Sequence, residues 1–200
     1  MLKVGLTGGI GSGKTIVSNA FATYGVSIVD TDLISHRITA SGGKAISGIR
    51  SRFGSAFITT EGAMNRARMR ALIFNNTQAK QQLEAILHPL IRIEADFEIR
   101  AASSPYVICV VPLLVEVGNY WHKRVDRLLV VDCAVQTQVE RVIQRNGFTR
   151  KQVQVIIESQ ATRQTRIAVA DDILINETDI IDPILPKIAL LHQRYLYLAR

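Results

Sequence analysis

Cysteine is scarce in this sequence, which argues against a small disulfide-stabilised protein and against a metal site built from cysteines. Only Cys109 and Cys133 occur among 200 residues, and they do not form a C-x-x-C pair. Both lie in apolar segments, so we expect buried thiols rather than a disulfide framework or a metal site. The four histidines are also scattered, without the spacing of zinc ligands.

Long hydrophobic runs are absent as well. The longest apolar run, residues 106–115, is too short to span a bilayer and contains Pro112. No apolar segment typical of a signal peptide follows the N-terminus. We therefore expect no membrane partner and a cytoplasmic location.

Aromatic residues are few, at 6% of the chain, and acidic residues are outnumbered. The 24 Lys and Arg against 17 Asp and Glu give a formal net charge of +7, which suits an anionic partner. That partner could be nucleic acid or a small polyphosphate. No basic run is interleaved with aromatic side chains, so a stacking surface for single strands is not evident. The 48% hydrophobic content indicates a globular chain with its own core.

The most specific pattern present is a phosphate-binding loop near the N-terminus. Residues 8–15, Gly-Gly-Ile-Gly-Ser-Gly-Lys-Thr, match G-x-x-x-x-G-K-[ST] between a strand-like run and a helical pattern. Its glycines let main-chain N–H groups close on phosphate oxygens, and the helix N-terminus adds further donors. Lys14 is expected to reach the β- and γ-phosphates of a nucleotide, and the Thr15 hydroxyl to ligate Mg²⁺. The predicted nucleotide-binding residues are Gly8, Gly9, Gly11, Ser12, Gly13, Lys14, Thr15 and Ile16, the last through its backbone N–H.

Strand-like and helical segments alternate along the chain. Near-continuous apolar runs predict buried parallel strands at residues 3–7, 26–30, 106–111, 127–132 and 172–176. Helical patterns occupy residues 16–24, 66–75, 78–101, 135–145, 150–165 and 183–199. This alternation predicts an α/β fold of three layers around a five-stranded parallel sheet.

The spacing of the predicted strands is uneven. About seventy-five residues separate the second strand from the third, far more than one crossover helix needs. We therefore expect a helical insert at about 32–104, and an arginine-bearing lid at about 135–165. The core is then built from about 1–31, 105–134 and 166–200.

Two carboxylates, Asp30 and Asp32, follow the second predicted strand. The carboxyl ends of strands line the ligand crevice in open α/β sheets. The pair could therefore serve Mg²⁺, or could orient and deprotonate an attacking hydroxyl. Alternatively, one of them caps a short helix over residues 33–38.

Arginines recur four residues apart at Arg66 and Arg70, and again at Arg141 and Arg145. Residues with this spacing share a helix face, where two arginines can hold a phosphate or a lid arginine can neutralise a transferring phosphoryl group. Solvated basic faces would explain both pairs equally well. Asp132 ends an apolar strand as a Walker B aspartate does, although buried strands often end in Asp.

Together these motifs resemble the dephospho-CoA kinase family over essentially the whole chain. Three departures occur: Ile16 stands where the family has Ser or Thr, Asn65 where it has Asp, and Met69 where it has Leu. The matching blocks, in the family's order and spacing, are residues 6–14, Asp30-Thr31-Asp32, residues 65–74, His88-Pro89-Leu90-Ile91, residues 112–116, the Gln-x-x-Arg-x-x-x-Arg of residues 138–145, and residues 170–176.

The resemblance implies transfer of the γ-phosphoryl group of ATP to the ribose 3′-hydroxyl of dephospho-CoA, the final step of coenzyme A biosynthesis. It implies small-molecule substrates, ATP and dephospho-CoA, rather than nucleic acid, and the phosphate loop adds Mg²⁺ as the metal. We expect a monomer or small homo-oligomer. Asp32 would be the catalytic base or hydroxyl-orienting residue, acting with Lys14 and Arg141. Arg141 and Asn176 would lie near ATP. On the acceptor side the resemblance places Asp32, Arg66, Arg70 and His88.

Two other functions are compatible with parts of the pattern. Another P-loop kinase, acting on a nucleoside monophosphate or a sugar acid, would keep the loop and the lid but change the insert. A P-loop ATPase using Asp132 would instead respond to DNA or RNA.

Overall fold

A five-stranded sheet forms the centre of the computed structural model, which describes residues 1–116, 119–178 and 180–200. The strand order is β2-β3-β1-β4-β5 and all five strands are parallel. The predicted α/β fold with a five-stranded parallel sheet is therefore confirmed. The strands are β1 (Leu2–Thr7), β2 (Ser27–Asp30), β3 (Tyr106–Val110), β4 (Arg127–Asp132) and β5 (Asp172–Ile175).

The central strands are apolar on both faces because helices cover both sides of the sheet. Leu6 of β1 pairs with Val110 of β3 on one side and with Leu129 of β4 on the other. Every residue of β3 is buried. Cys109 and Cys133 are almost completely buried thiols outside any disulfide, as expected, and burial raises the pKa of the Cys133 thiol.

The helices follow the predicted segments closely, with a few additions. The helices α3 (Ile46–Phe53) and α6 (Asn119–His122) were not predicted because both are short, and α6 is a single turn. Two 3₁₀ turns lie at Ser55–Phe57 and Asp182–Ile184. The helices are α1 (Lys14–Thr23), α2 (Thr31–Ile38), α3 (Ile46–Phe53), α4 (Arg66–Asn75), α5 (Thr77–Ala101), α6 (Asn119–His122), α7 (Val135–Asn146), α8 (Arg150–Glu158), α9 (Arg163–Ala168) and α10 (Leu185–Leu198).

The single helix predicted over residues 150–165 is wrong, since the structure divides it into α8 and α9. The backbone N–H of Ser159 ends α8 by donating to Val155. Thr162 then begins α9 as its N-cap, with its hydroxyl oxygen accepting from the N–H of Thr165. Thr162 is compatible with helical periodicity, so the pattern concealed a cap inside an apparently continuous segment.

The chain divides into two units, Met1–Val29 with Ala102–Arg200, and Asp30–Ala101. The first holds the main hydrophobic core, in which the rings of Phe21, Tyr106 and Tyr195 pack around the sheet. The second is helical, and Ile49 and Met69 are among its buried side chains. Within the described residues, no helix is long and apolar enough to cross a membrane.

Candidate active site

The phosphate loop lies between β1, which ends at Thr7, and α1, which begins at Lys14. Gly13 precedes α1 with φ 92, a left-handed conformation that favours glycine. The carboxamide of Asn176 lies directly against Gly13, so a side chain there would also clash. Because Gly13 has no side chain to cap α1, the first N–H groups of the helix keep their donors for an anion.

Lys14 turns back over the start of the loop. Its ammonium nitrogen Nζ donates to the carbonyl oxygen of Gly8 at 2.8 Å and to that of Gly9 at 3.0 Å. These contacts fix a positive charge at the Gly8–Gly9 end of the loop. That is the position from which a P-loop lysine reaches the β- and γ-phosphates.

Thr15 fits the predicted magnesium ligand. It lies in the first turn of α1 directly after Lys14, and it is exposed. A hydroxyl oxygen is a hard ligand of the kind that Mg²⁺ accepts, and Mg²⁺ commonly takes most of its other ligands from water and substrate phosphates. The part of the chain that the structure describes contains no cluster of three or more His, Cys, Asp or Glu that could hold a metal ion.

Asn176 and Arg141 bind the far side of the loop, from segments more than 120 residues away in sequence. The Nδ2 of Asn176, a residue 1% exposed, donates to the carbonyl oxygen of Ser12 at 2.9 Å. The guanidinium of Arg141 donates through Nη1 to the carbonyl oxygen of Gly11 at 3.3 Å and to that of Asn176 at 3.0 Å. Both predicted nucleotide-site residues are thus brought to the loop.

Arg145 shares a helix face with Arg141 but does not share its contacts. Its Nε donates to Oδ1 of its neighbour Asn146 at 2.9 Å. The spacing predicted the shared face correctly, yet the hydrogen bonds of Arg145 serve the end of α7 rather than the loop.

Asp132, the candidate Walker B residue, is held by an arginine. Its carboxylate is 4% exposed and accepts from Arg163, with Nε–Oδ1 and Nε–Oδ2 distances of 3.0 Å and an Nη2–Oδ2 distance of 2.6 Å. This hydrogen-bonded pairing raises the pKa of Arg163. Asp132 therefore anchors α9 to β4. This pairing with Arg163 gives a structural role to the aspartate at the end of β4, which had suggested the Walker B residue of an ATPase.

In the second unit, Asp30 and Asp32 have different surroundings. Oδ1 of Asp30 accepts from the backbone N–H of Asp32 at 2.8 Å and from that of Leu33 at 3.2 Å. Asp30 is thus the N-cap of α2, which assigns to it the capping role that the sequence left open between the two. Asp32 lies in the first turn of α2 with its side chain exposed.

The other predicted acceptor-side residues also lie in this unit. Nη2 of Arg66 donates to Oγ1 of Thr39 at 2.6 Å, and partial burial, with the nearby charge of Arg70, lowers the pKa of Arg66. Asn65 caps α4, its Oδ1 accepting from the N–H of Arg68 at 3.0 Å, so the departure from Asp keeps the cap. His88 is half-buried in α5, immediately before a proline inside that helix.

Three contacts at the loop were missed by sequence reasoning. Oε1 of Gln160 accepts from the N–H of Ile10 at 3.0 Å. The side chains of Gln138 and Arg166 lie against Gly9 and are 2% and 5% exposed. Gln138 belongs to the block that matches the family's lid helix, which was a usable signal. Nothing in the sequence pattern distinguished Gln160 or Arg166 from solvated helical residues.

This strand, loop and helix, with the lysine folded back over the loop on a parallel α/β sheet, define a P-loop nucleotide-binding protein of the kinase type. A family model for dephospho-CoA kinase matches residues 2–182. The chain is 56% identical to a dephospho-CoA kinase from Burkholderia lata over 196 residues, which cover 98% of this chain and 96% of the relative.

Solved structures agree in fold. A crystal structure of TT1252 from Thermus thermophilus superposes with a TM-score of 0.82 at 26% identity, covering 96% of this chain and 97% of that one. A dephospho-CoA kinase from Campylobacter jejuni gives a TM-score of 0.64 at 18% identity, covering 96% of each chain. The chain belongs to the dephospho-CoA kinase family, so the resemblance predicted from the motifs is confirmed.

Proposed function

We propose that this protein transfers the γ-phosphoryl group of ATP to the ribose 3′-hydroxyl of dephospho-CoA, giving coenzyme A and ADP. The observation that carries the proposal is the family match over residues 2–182, which includes an intact phosphate loop with Lys14 folded over it. The predicted cytoplasmic location and monomeric or small oligomeric state remain part of this proposal.

The loop supplies binding and charge stabilisation. Phosphoryl transfer requires little covalent chemistry from the protein, so positioning and electrostatics dominate the rate. Backbone N–H groups at the start of α1 and the ammonium of Lys14 bind the phosphates. Arg141 holds the carbonyl oxygens of Gly11 and Asn176, and it places a further cation at the rim of the loop.

Mg²⁺, when bound, neutralises charge on the β- and γ-phosphates. We assign Thr15 as its protein ligand because it is an exposed hydroxyl-bearing residue in the first turn of α1. The remaining ligands are then water and phosphate oxygens, as is usual for Mg²⁺.

Asp32 is proposed to accept the hydrogen bond of the ribose 3′-hydroxyl and to take its proton late in the transfer. The capping contacts of Asp30 support this assignment, because they leave Asp32 as the carboxylate of the pair that does not cap α2. Arg66, Arg70 and His88 are proposed to bind the acceptor within the helical insert at about 32–104. The segment at about 135–165 is proposed to act as the lid.

The test is ADP release measured with a panel of acceptors. We expect Mg²⁺-dependent turnover with dephospho-CoA, and no comparable stimulation by AMP, CMP, gluconate or DNA. The product should carry its new phosphate on the 3′-oxygen, which phosphorus NMR can identify. Stimulation by another acceptor while dephospho-CoA stays inert would overturn the proposal.

A further inference from the structure

Arg166 is a buried cation at the phosphate loop. It lies on α9 and is 5% exposed, and its Nη1 donates to the carbonyl oxygen of Ala161. A Cβ atom placed on Gly9, as in an alanine, would lie 3.0 Å from Nη2 of Arg166. The guanidinium therefore lies against the first glycines of the loop.

Within the described residues, no carboxylate pairs with Arg166. Glu116 is the acidic side chain that the hydrogen bonds place in this region, and its Oε1 accepts from the N–H of Ala161 at 2.7 Å. Its Oε2 has no hydrogen-bond partner in the described part of the chain, and Glu116 forms no ion pair with Arg166 there. A buried guanidinium without an anion is costly, and such groups are retained where an anion binds.

Other donors converge on the same point. Nε2 of Gln138 is the atom nearest to a Cβ placed on Gly9. Nζ of Lys14 donates a hydrogen bond to the carbonyl oxygen of Gly9. Two cations and a carboxamide N–H thus meet at the Gly8–Gly9 end of the loop. The contact between Gln160 and the N–H of Ile10 holds the segment before α9 in place there.

We infer that Arg166 is a catalytic residue that contacts the terminal phosphate of the bound triphosphate. Lys14 reaches the β- and γ-phosphates from the same two glycines, so the terminal phosphate belongs at this end of the loop. Arg166 then neutralises charge on the transferring group, a role for which the sequence suggested a lid arginine of the Arg141 and Arg145 pair. The inference rests on the proposed function and adds a residue to its machinery.

The test compares Arg166→Met, Arg166→Lys and the control Arg200→Met, an exposed arginine that follows α10 and lies outside the loop, the insert and the lid. Calorimetry measures the affinities for a non-hydrolysable ATP analogue and for ADP, each with Mg²⁺, and a melting curve measures stability. We expect Arg166→Met to weaken binding of the triphosphate by about tenfold or more, and to lower kcat by about a hundredfold. ADP affinity should change by less than about threefold, because ADP lacks the terminal phosphate.

Arg166→Lys should recover part of the triphosphate affinity because it keeps the charge, and Arg200→Met should match the wild type. Equal losses of ATP-analogue and ADP affinity in Arg166→Met, with a lower melting temperature, would overturn the inference in favour of a structural role. Unchanged kcat would overturn it as well. The wild-type acceptor panel is scored separately: a wild type inert with dephospho-CoA refutes the proposed function, whereas an active wild type with a normal Arg166→Met refutes only this inference.

Discussion

Asp30 and Asp32 are separated by a single residue, and the structure gives them different roles. Replacing Asp32 by Asn keeps the size and shape of the side chain but removes the anionic acceptor. We expect kcat to fall by about a hundredfold or more, the usual scale for losing a positioned acid–base group. The affinity for ATP should change little, because Lys14 and the loop amides carry that binding.

Asp30→Ala should show the opposite pattern. It removes the side-chain oxygen that accepts from two N–H groups at the start of α2, at 2.8 and 3.2 Å. Loss of such a cap costs about 1 kcal/mol of the free energy of unfolding. In a chain of this length, that cost corresponds to a fall of about 2–4 °C in melting temperature. Its kcat should stay within a few-fold of the wild type if α2 still forms.

The assay measures kcat with dephospho-CoA, the Kd for ATP and the melting temperature on both variants. The reasoning fails if Asp32→Asn is stable and turns over at the normal rate, because suspicion then shifts to Asp30. It also fails if Asp30→Ala is inactive at full stability. A shared loss of stability in both variants would show that the two carboxylates hold the helix together.

Four further outcomes follow from the contacts at the loop and in the core. Lys14→Ala should lower kcat by orders of magnitude in a folded protein; near-normal turnover would place phosphate transfer elsewhere. Hydrogen exchange across residues 135–150, which include Arg141, should slow when an ATP analogue and the acceptor bind together, and an unchanged rate would count against a lid there. Asn176→Ala leaves the buried Ser12 carbonyl without its donor, so unfolding should become easier by about 1–3 kcal/mol, whereas the exposed Asn146→Ala should melt nearly as the wild type does. Burial lowers the pKa of His192 below 6.5, so the unfolded chain takes up a proton more readily than the folded chain does. The free energy of unfolding should therefore fall as the pH drops below about 6.5. Melting curves of His192→Gln should lose part of this pH dependence, and those of the exposed His122→Gln should keep it.

The strands were predictable because parallel strands buried on both faces have an unmistakable composition. The apolar run that contains β3 required no knowledge of its neighbours to be read as a strand. The loop was equally predictable, since its chemistry lies in consecutive residues and the strand and helix around it are local. The division between α8 and α9 was not, because Thr162 becomes a cap only once the chain reverses toward the loop.

The side-chain contacts of the site divide in the same way. Asp30 was recognised as a possible cap from its position before a helix, but the choice between Asp30 and Asp32 depended on which oxygen meets the first N–H groups. Arg145 has the sequence spacing of a phosphate ligand and lacks the contacts. Arg166 has the contacts and lacks any periodic signature, because tertiary packing rather than spacing brings it to Gly9.

These long-range contacts explain why eight consecutive residues are an incomplete description of the phosphate site. Ordering a flexible backbone costs about 1–2 kcal/mol per residue, and a glycine-rich loop is at the upper end of that range. Gln160, Asn176 and Arg141 bind Ile10, Ser12 and Gly11 respectively, so folding of the first unit bears that cost before a nucleotide arrives. The phosphate interactions are then free to act on affinity and on the transition state. Removing any one of these three side chains should therefore weaken ATP binding through the lost ordering of the loop, and Arg141 should show a larger loss because it also places a cation at the rim of the loop.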